Sequence, residues 1–408
     1  MAATRSMNPF QVLFRHRNFR LFWAGQTTSL VGSWMQSTAQ AWLALELTGD
    51  PFWVTLVYAS SSLPVAVISL FAGVVVDRYD KLRLVTGAQA LLLVQALILW
   101  WFASTGNVTV GWLIALALIG GAINAVEIPA RQTLIIELVG RDDLLDAIAL
   151  NSGGFNLARI IGPTAAGILI ATAGVEACFA VNAASYLAVL VGLTMVRLPE
   201  QASPGVHDSP IVRLREGLRF IRGHREVWVI IRLIAVYAIF GTPYLALLPV
   251  IARDTLKGDA AAYGWLLCSV GIGALSAALT LAALSSKVRR GRLLTYAAHA
   301  FSACLIFFSL SRAFSLSVGL LVAVGFSMIV TNAVANGLLQ TLAPDAFRGR
   351  VMAAHAWVFV GVGPVIGPFL AGAIAREIGA PATIGVGATI TLAYGLWVVA
   401  RYPDMRAL

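Results

Sequence analysis

Apolar stretches of about 20 residues, each long enough to cross a bilayer as a helix, recur twelve times along the sequence. The connections between them alternate between Arg-rich and Arg-poor. Connections rich in Lys and Arg stay on the cytoplasmic side. The alternation therefore predicts a polytopic membrane protein and orients each segment, with both termini inside. Helices are expected at 21–47, 52–76, 84–104, 110–130, 147–172, 176–196, 227–252, 262–284, 292–311, 315–341, 351–375 and 379–400. External turns are short and marked by Gly and Pro, as in Thr48-Gly49-Asp50-Pro51. One cytoplasmic connection, 197–226, is long and carries Arg213, Arg215, Arg219, Arg222 and Arg225. Within it Ile211, Leu214, Leu218 and Ile221 recur at helical spacing, which predicts an interfacial amphipathic helix. The connection divides the chain into an N-terminal six-helix bundle (1–196) and a C-terminal six-helix bundle (227–408).

Those bundles repeat each other. Asn124-Ala125-Val126 recurs as Asn332-Ala333-Val334, and Gln132-Thr133-Leu134 as Gln340-Thr341-Leu342, both at an offset of 208. Ile161-Gly162-Pro163 with Gly167 recurs as Ile366-Gly367-Pro368 with Gly372, and Arg83-Leu84 as Arg292-Leu293. Matches in order, at nearly constant offset and in matching spans, indicate duplication. The fold class is therefore an all-α membrane protein of twelve transmembrane helices. Two such bundles related by an axis along the membrane normal form a transporter architecture, with the substrate between them near the midplane.

Composition agrees. The chain is 59% hydrophobic and 12% charged, with mean hydropathy +0.83, whereas a soluble domain carries about 25% charged residues. The basic excess, 29 against 19 acidic residues, suggests no nucleic-acid partner, because the membrane rule explains it. All but six basic residues fall in predicted cytoplasmic segments. Arg253, Lys257, Arg312 and Arg376 fall outside, and Arg159 and Arg232 lie within apolar stretches. Cys178, Cys268 and Cys304 are far apart, with no metal spacing, and read as small core residues. Neither a cofactor nor a metal is expected. The basic N-terminus runs straight into a long helix, so no cleaved signal peptide is expected.

One motif carries a family resemblance. Gly73-Val74-Val75-Val76-Asp77-Arg78-Tyr79-Asp80-Lys81-Leu82-Arg83, after the second span, resembles the signature loop of the major facilitator superfamily. Asp80 replaces a usual Gly. The second-half counterpart is degraded, with Ser285 at the Asp position, then Lys287, Arg289, Arg290 and Arg292. Phe19-Arg20-Leu21-Phe22-Trp23-Ala24-Gly25-Gln26 and Pro129-Ala130-Arg131-Gln132 resemble bacterial exporters related to the enterobactin and macrolide efflux proteins. Gly162-Pro163 with Gly167 partly matches the antiporter motif of drug exporters, with Ala166 replacing a Gly. The resemblance implies the major facilitator fold, residence in a bacterial cytoplasmic membrane and export of a drug, siderophore or metabolite. It also implies a gating role for Gly73, Asp77, Arg78, Lys81 and Arg83, which would latch the two halves in the outward-open state. Capping with positive-inside charge is the plainer reading. It fits Arg78 better than Asp77, since an acid at a helix C-terminus opposes the macrodipole.

No Walker A pattern is present, so transport needs ion coupling, here by protons. Intramembrane ionisable residues are costly and functional by default. Glu127 is the acidic residue that lies clearly inside an apolar stretch. Two readings stand: a proton carrier tuned by Arg159, or a structural clamp to Arg131 at the cytoplasmic end of span four, favourable at i+4. Polar stripes predict the cavity lining. Gln26, Ser29, Ser33, Gln36, Ser37 and Gln40 share a face of span one. Asn332, Asn336 and Gln340 share one in span ten, and Asn124 with Glu127 begin one in span four. Interhelical hydrogen bonding is the competing reading. Trp34, Tyr58, Tyr237, Tyr244 and Trp357 offer π surfaces to an amphipathic ligand. Gly162, Pro163 and Gly167 permit close helix approach and a bend. His299 and His355 read as packing residues. No catalytic constellation is readable, so no enzyme is expected. The expected partners are a small-molecule substrate, protons and membrane lipid, bound by a monomer. The expectation is secondary active export of a small amphipathic compound by proton antiport; uptake, lipid-metabolite transport or uniport are the alternatives.

Overall fold

A computed structural model of the chain describes residues 10–196, 210–283 and 289–404, except the side chains of Leu70, Val74 and 210–215. Ser285, Lys287 and the linker residues 197–209 lie outside the described residues. All regular structure described is helical. In lipid that follows from chemistry: a helix satisfies each backbone polar group within its own segment.

Spans one to six are Arg17–Thr48, Pro51–Arg78, Lys81–Ser104, Val110–Val139, Leu144–Ala173 and Val175–Thr194. Spans seven to twelve are Arg225–Thr255, Ala260–Ala283, Arg290–Leu310, Phe314–Leu342, Asp345–Ile378 and Ala380–Arg401. Eleven of these helices are long and apolar enough, by length and composition alone, to cross a membrane. Span one has 32 residues and falls short on composition because of its polar stripe. Spans seven and eleven contain wider, π-type turns at Tyr237–Gly241, Ile251–Thr255 and Trp357–Val362.

The helix boundaries follow local chemistry. Asp50 caps span two, its carboxylate accepting from the Phe52 N–H at 2.9 Å. Asp80 does the same for span three, accepting from the Arg83 N–H at 2.7 Å. The substituted Gly position of the signature loop is thus a working helix N-cap. Span four is a correction. It was expected to stop at 130 but continues to Val139 with Pro129 inside. Leu134, Ile135 and Leu138 carry a buried stripe past the proline, and that packing outweighs one lost hydrogen bond. Glu127 and Arg131 therefore lie more than a turn inside the helix, not at its cytoplasmic end. The linker helix, Pro210–Gly223, docks on the second half. Phe220 stacks on Phe347 with ring centroids 4.5 Å apart, and Glu216 pairs with Arg350 at 2.8 Å.

Duplication is visible in the packing. A Cβ on Gly162 in span five would collide with Trp34 and Val31 of span one. Its counterpart Gly367 in span eleven meets Ile239 and Pro243 of span seven in the same way. Gly167 abuts Ala260, Ala261 and Gly264 of span eight, and Gly372 abuts Phe52 and Thr55 of span two. Each glycine holds two helices at backbone distance. The first pair packs each half internally, and the second joins the halves.

The buried core is arranged unevenly. At the end remote from the linker helix, one cluster unites both halves, from Met35, Trp42, Val54 and Phe179 to Leu247, Tyr263, Leu321 and Ala371. At the linker end there are two clusters. One is built from the first half alone, including Phe19, Phe22, Val85 and Leu134. The other includes Ile221, Ile230, Leu294 and Leu339, from the second half and its docked linker helix. The halves therefore join at the far end and keep separate cores at the linker end.

Candidate transport site

Glu127 is 3% exposed and sits inside the first half. Arg131, one turn on, reaches its two carboxylate oxygens from Nε at 3.0 and 3.3 Å. From span three, Gln89 Nε2 donates to Glu127 at 3.2 Å and to Gln26 of span one at 3.4 Å. Ser29 donates to the Gln89 carbonyl at 3.5 Å. A second network lies farther along the same helices. Gln36 donates to Gln95 at 3.1 Å, Asn182 donates to Gln36 at 2.7 Å, and Ser185 donates to Asn182 at 3.1 Å. Ser33 meets the Tyr186 hydroxyl at 3.1 Å.

At Gln26 and Gln36 these bonds match interhelical hydrogen bonding, the competing reading of the stripe. Both are buried and spend their amides on neighbouring helices of the first half. Polar groups surrounded by apolar helices and lipid seek one another. Gln40 is buried with its amide nitrogen unpartnered. Asn124 is half-buried without a side-chain hydrogen bond. Asn332 keeps a buried carbonyl oxygen with no partner, whereas Asn336 accepts from Gln340 at 2.6 Å.

Arg159 is not brought to Glu127. Its Nη2 donates to Asn156 at 2.8 Å, and its buried Nε has no partner. It lies at the seam between halves, where Gly271 of span eight packs against the Arg159 carbonyl. The Tyr244–Val250 segment of span seven packs against span two, which carries Tyr58. Tyr237 and Tyr244 are fully buried against Phe301, with ring centroids 4.3 and 6.2 Å away, and both hydroxyls lack partners. Buried polar groups normally have a partner. Arg159 Nε and these two hydroxyls are thus unsatisfied polar atoms within an otherwise apolar core. Trp34 packs on Phe155, and Trp357 donates to the Ala66 carbonyl across the seam at 2.8 Å.

The far end is closed by contacts between halves. Trp42 stacks on Tyr263 at 6.2 Å, and Phe52 meets Phe369 at 5.8 Å. Arg253 donates to the Leu45 carbonyl at 3.1 Å, and Arg376 pairs with Asp50 at 3.0 Å. Gly162, Pro163 and Gly167 belong to this closure. Gly264 packs against the Pro163 carbonyl and Gly167, within a continuous helix. At the linker end, Asp77 is half-buried and Arg78 exposed, and neither side chain makes an ion pair or hydrogen bond among the described residues. Gly73 has open space around it. Lys81 pairs with Glu137 of span four at 3.7 Å, within the first half, and Arg83 is exposed.

Sequence reasoning missed Gln89, Gln95, Asn156, Asn182 and Tyr186. Each is polar within an apolar stretch, the signal that singled out Glu127.

A family model described as transmembrane secretion effector matches residues 7–407. The chain belongs to this family, within the major facilitator superfamily. It is thus a multi-pass membrane protein and a secondary transporter that exports small compounds, and its family and relatives are transporters rather than enzymes. The multidrug efflux pump Tap of Mycolicibacterium fortuitum is 27% identical over 371 residues, covering 87% of this chain and 88% of that protein. The enterobactin exporter EntS of Escherichia coli is 27% identical over 316 residues, covering 77% of this chain and 72% of that one. The solved nucleoside transporter NupG superposes with TM-score 0.72 at 13% identity, covering 97% of this chain and 99% of that chain. A D-xylose-proton symporter gives TM-score 0.72 at 13% identity, covering 95% and 99%. At that identity the two structures establish the fold alone.

Proposed function

We propose that this protein exports a small amphipathic compound across a bacterial cytoplasmic membrane, as a monomer, by proton antiport and alternating access. One observation carries the reading: the halves share a core at the far end and have separate cores at the linker end. With the Arg-rich end facing the cytoplasm, this arrangement is closed outside and open inside, ready to load cargo. The moving units are 1–196 and 227–408, tied by 197–226. Rocking them apart at the far end requires the span five–eight and two–eleven glycine contacts to separate. The signature loop, with Asp77 and Arg78 unengaged in the inward-open state, then latches the linker end.

Cargo binds between the halves, at Arg159 and Tyr58, with Tyr237 and Tyr244 uncovered as the far end opens. A single guanidinium with no carboxylate counterpart favours a cargo with an anionic or strongly accepting group, and the rings suit an aromatic body. The proton binds separately, at Glu127. As a carboxylate, Glu127 holds Arg131; protonation loosens that pair. Span one links the two sites. It carries Gln26 and Ser29 of the Glu127 network, and it packs on span five at Gly154 and Gly162. Relatives that are named for multidrug and enterobactin efflux support an exporter of amphipathic compounds.

The test uses everted membrane vesicles, an acid-inside gradient and a pair of fluorescent amphipaths, one anionic and one cationic. Wild type should accumulate the anion, and a protonophore should abolish this. Arg159→Gln should lose most anion accumulation while remaining folded. Accumulation that survives the protonophore would overturn proton antiport. Equal handling of both dyes by wild type and Arg159→Gln would overturn the cargo reading.

A further inference from the structure

Three arginines gather where span seven begins and span twelve ends, at the linker end of the second half. The Arg225 guanidinium lies 4.9 Å from the centroid of the Tyr402 ring, and Arg401 lies 5.8 Å from it. Arg232 reaches the same residue from one side, donating from Nη2 to the Tyr402 hydroxyl at 3.4 Å. Its guanidinium also sits 5.3 Å from the Trp228 ring and 6.0 Å from the Trp397 ring. The Arg232 Nε is buried without a partner. Among the described residues, none of the three guanidiniums forms an ion pair. Glu226 and Asp404, the carboxylates beside them in sequence, are exposed and have no ion pair among the described residues.

Like charges crowded round one phenol ring repel. Rings soften that only modestly, since a cation–π contact contributes about 0.5–1 kcal/mol at an exposed site. Such a cluster suits an anion with several acceptor oxygens, and a phosphate has the geometry for forked guanidinium donors. The surroundings indicate where that phosphate comes from. Trp397 is 45% exposed and Leu396 54%, on the outer surface of a membrane-spanning helix. Trp and Tyr ring this spot as they do at a membrane–water interface. A soluble phosphate needs no apolar rim; a lipid headgroup with its acyl chains does.

We infer that Arg225, Arg232 and Arg401, with Tyr402 and Trp397, bind the phosphate of an anionic phospholipid between spans seven and twelve. The site is distinct from that of the cargo. It anchors the second half to the leaflet at the linker end while the first half moves.

The experiment uses the purified full chain in a neutral detergent. Binding of cardiolipin, phosphatidylglycerol and phosphatidylcholine is read by native mass spectrometry, and by the shift each lipid causes in Tm. Wild type should retain and be stabilised by the two anionic lipids, and not by phosphatidylcholine. Arg225→Gln with Arg401→Gln should bind them about thirtyfold more weakly, from roughly 1 kcal/mol for each arginine lost near an anionic surface. Arg219→Gln with Arg222→Gln, on the exposed linker helix, should bind as wild type does. A Tm of the first double variant in phosphatidylcholine equal to that of wild type excludes misfolding as the cause. Unchanged anionic-lipid binding by that variant would overturn the site. So would an equal loss in the linker-helix control, since binding would then follow net charge. Saturation of the effect by inorganic phosphate alone would overturn the lipid as its source.

Discussion

The two halves have the same skeleton and different chemistry. At the offset that aligns Asn124 with Asn332 and Gln132 with Gln340, Glu127 aligns with Ala335 and Arg131 with Leu339. In the first half those positions form a buried ion pair held by Gln89. In the second they are fully buried and apolar, within the linker-end core of that half. The glycines that set helix approach recur in both. The matching glycine contacts are thus common to both halves, while the buried ion pair is present in the first alone among these aligned positions. A buried ion pair is weak evidence for stability, since two apolar side chains often pack as well. The second half does exactly that substitution at the matching sites, which favours a functional account of the pair in the first.

The sharpest way to break this comparison is Arg131→Ala. It leaves the Glu127 carboxylate buried without its cation, and the expected loss is about 3–5 kcal/mol, read as a large fall in Tm. Glu127→Ala with Arg131→Leu, which gives the first half the residues of the second at these positions, should regain most of that stability. A double variant as unstable as Arg131→Ala would mean the pair is structural. Next come Gly162→Val and Gly367→Val, which probe the shared skeleton. Each forces a side chain into backbone contact with a neighbouring span, at an expected cost of roughly 1–3 kcal/mol. The two losses should be similar; a large difference would count against equivalent packing. The smallest effect is expected from Arg376→Gln. Its pair with Asp50 crosses the far end, but the Arg376 side chain is 58% exposed, and an exposed pair contributes about 0.2–1 kcal/mol. Thermal melts should barely register it.

Much of the fold was legible because a bilayer imposes few rules. Span length, the charge of connections and the repeated Asn-Ala-Val and Gly-Pro motifs were enough to expect twelve helices in two halves. The end of span four was not, because Pro129 looks like a stop until the stripe beyond it finds a core. The site was harder to read. A polar stripe such as Gln26-Ser33-Gln36 identifies a face but not what the face meets, and most of it met Gln89, Gln95 and Asn182. Glu127 and Arg131 were readable as a pair because both lie on one helix. Arg159 was not readable as a neighbour of Gly271, because that contact joins residues from opposite halves.

The most direct test is proton movement coupled to cargo in reconstituted vesicles, followed with a trapped pH-sensitive dye. Wild type should move protons against each cargo molecule. Glu127→Gln should still exchange cargo down its gradient, with no accompanying change in pH. Proton movement undiminished in Glu127→Gln would contradict the assignment of coupling to the first half.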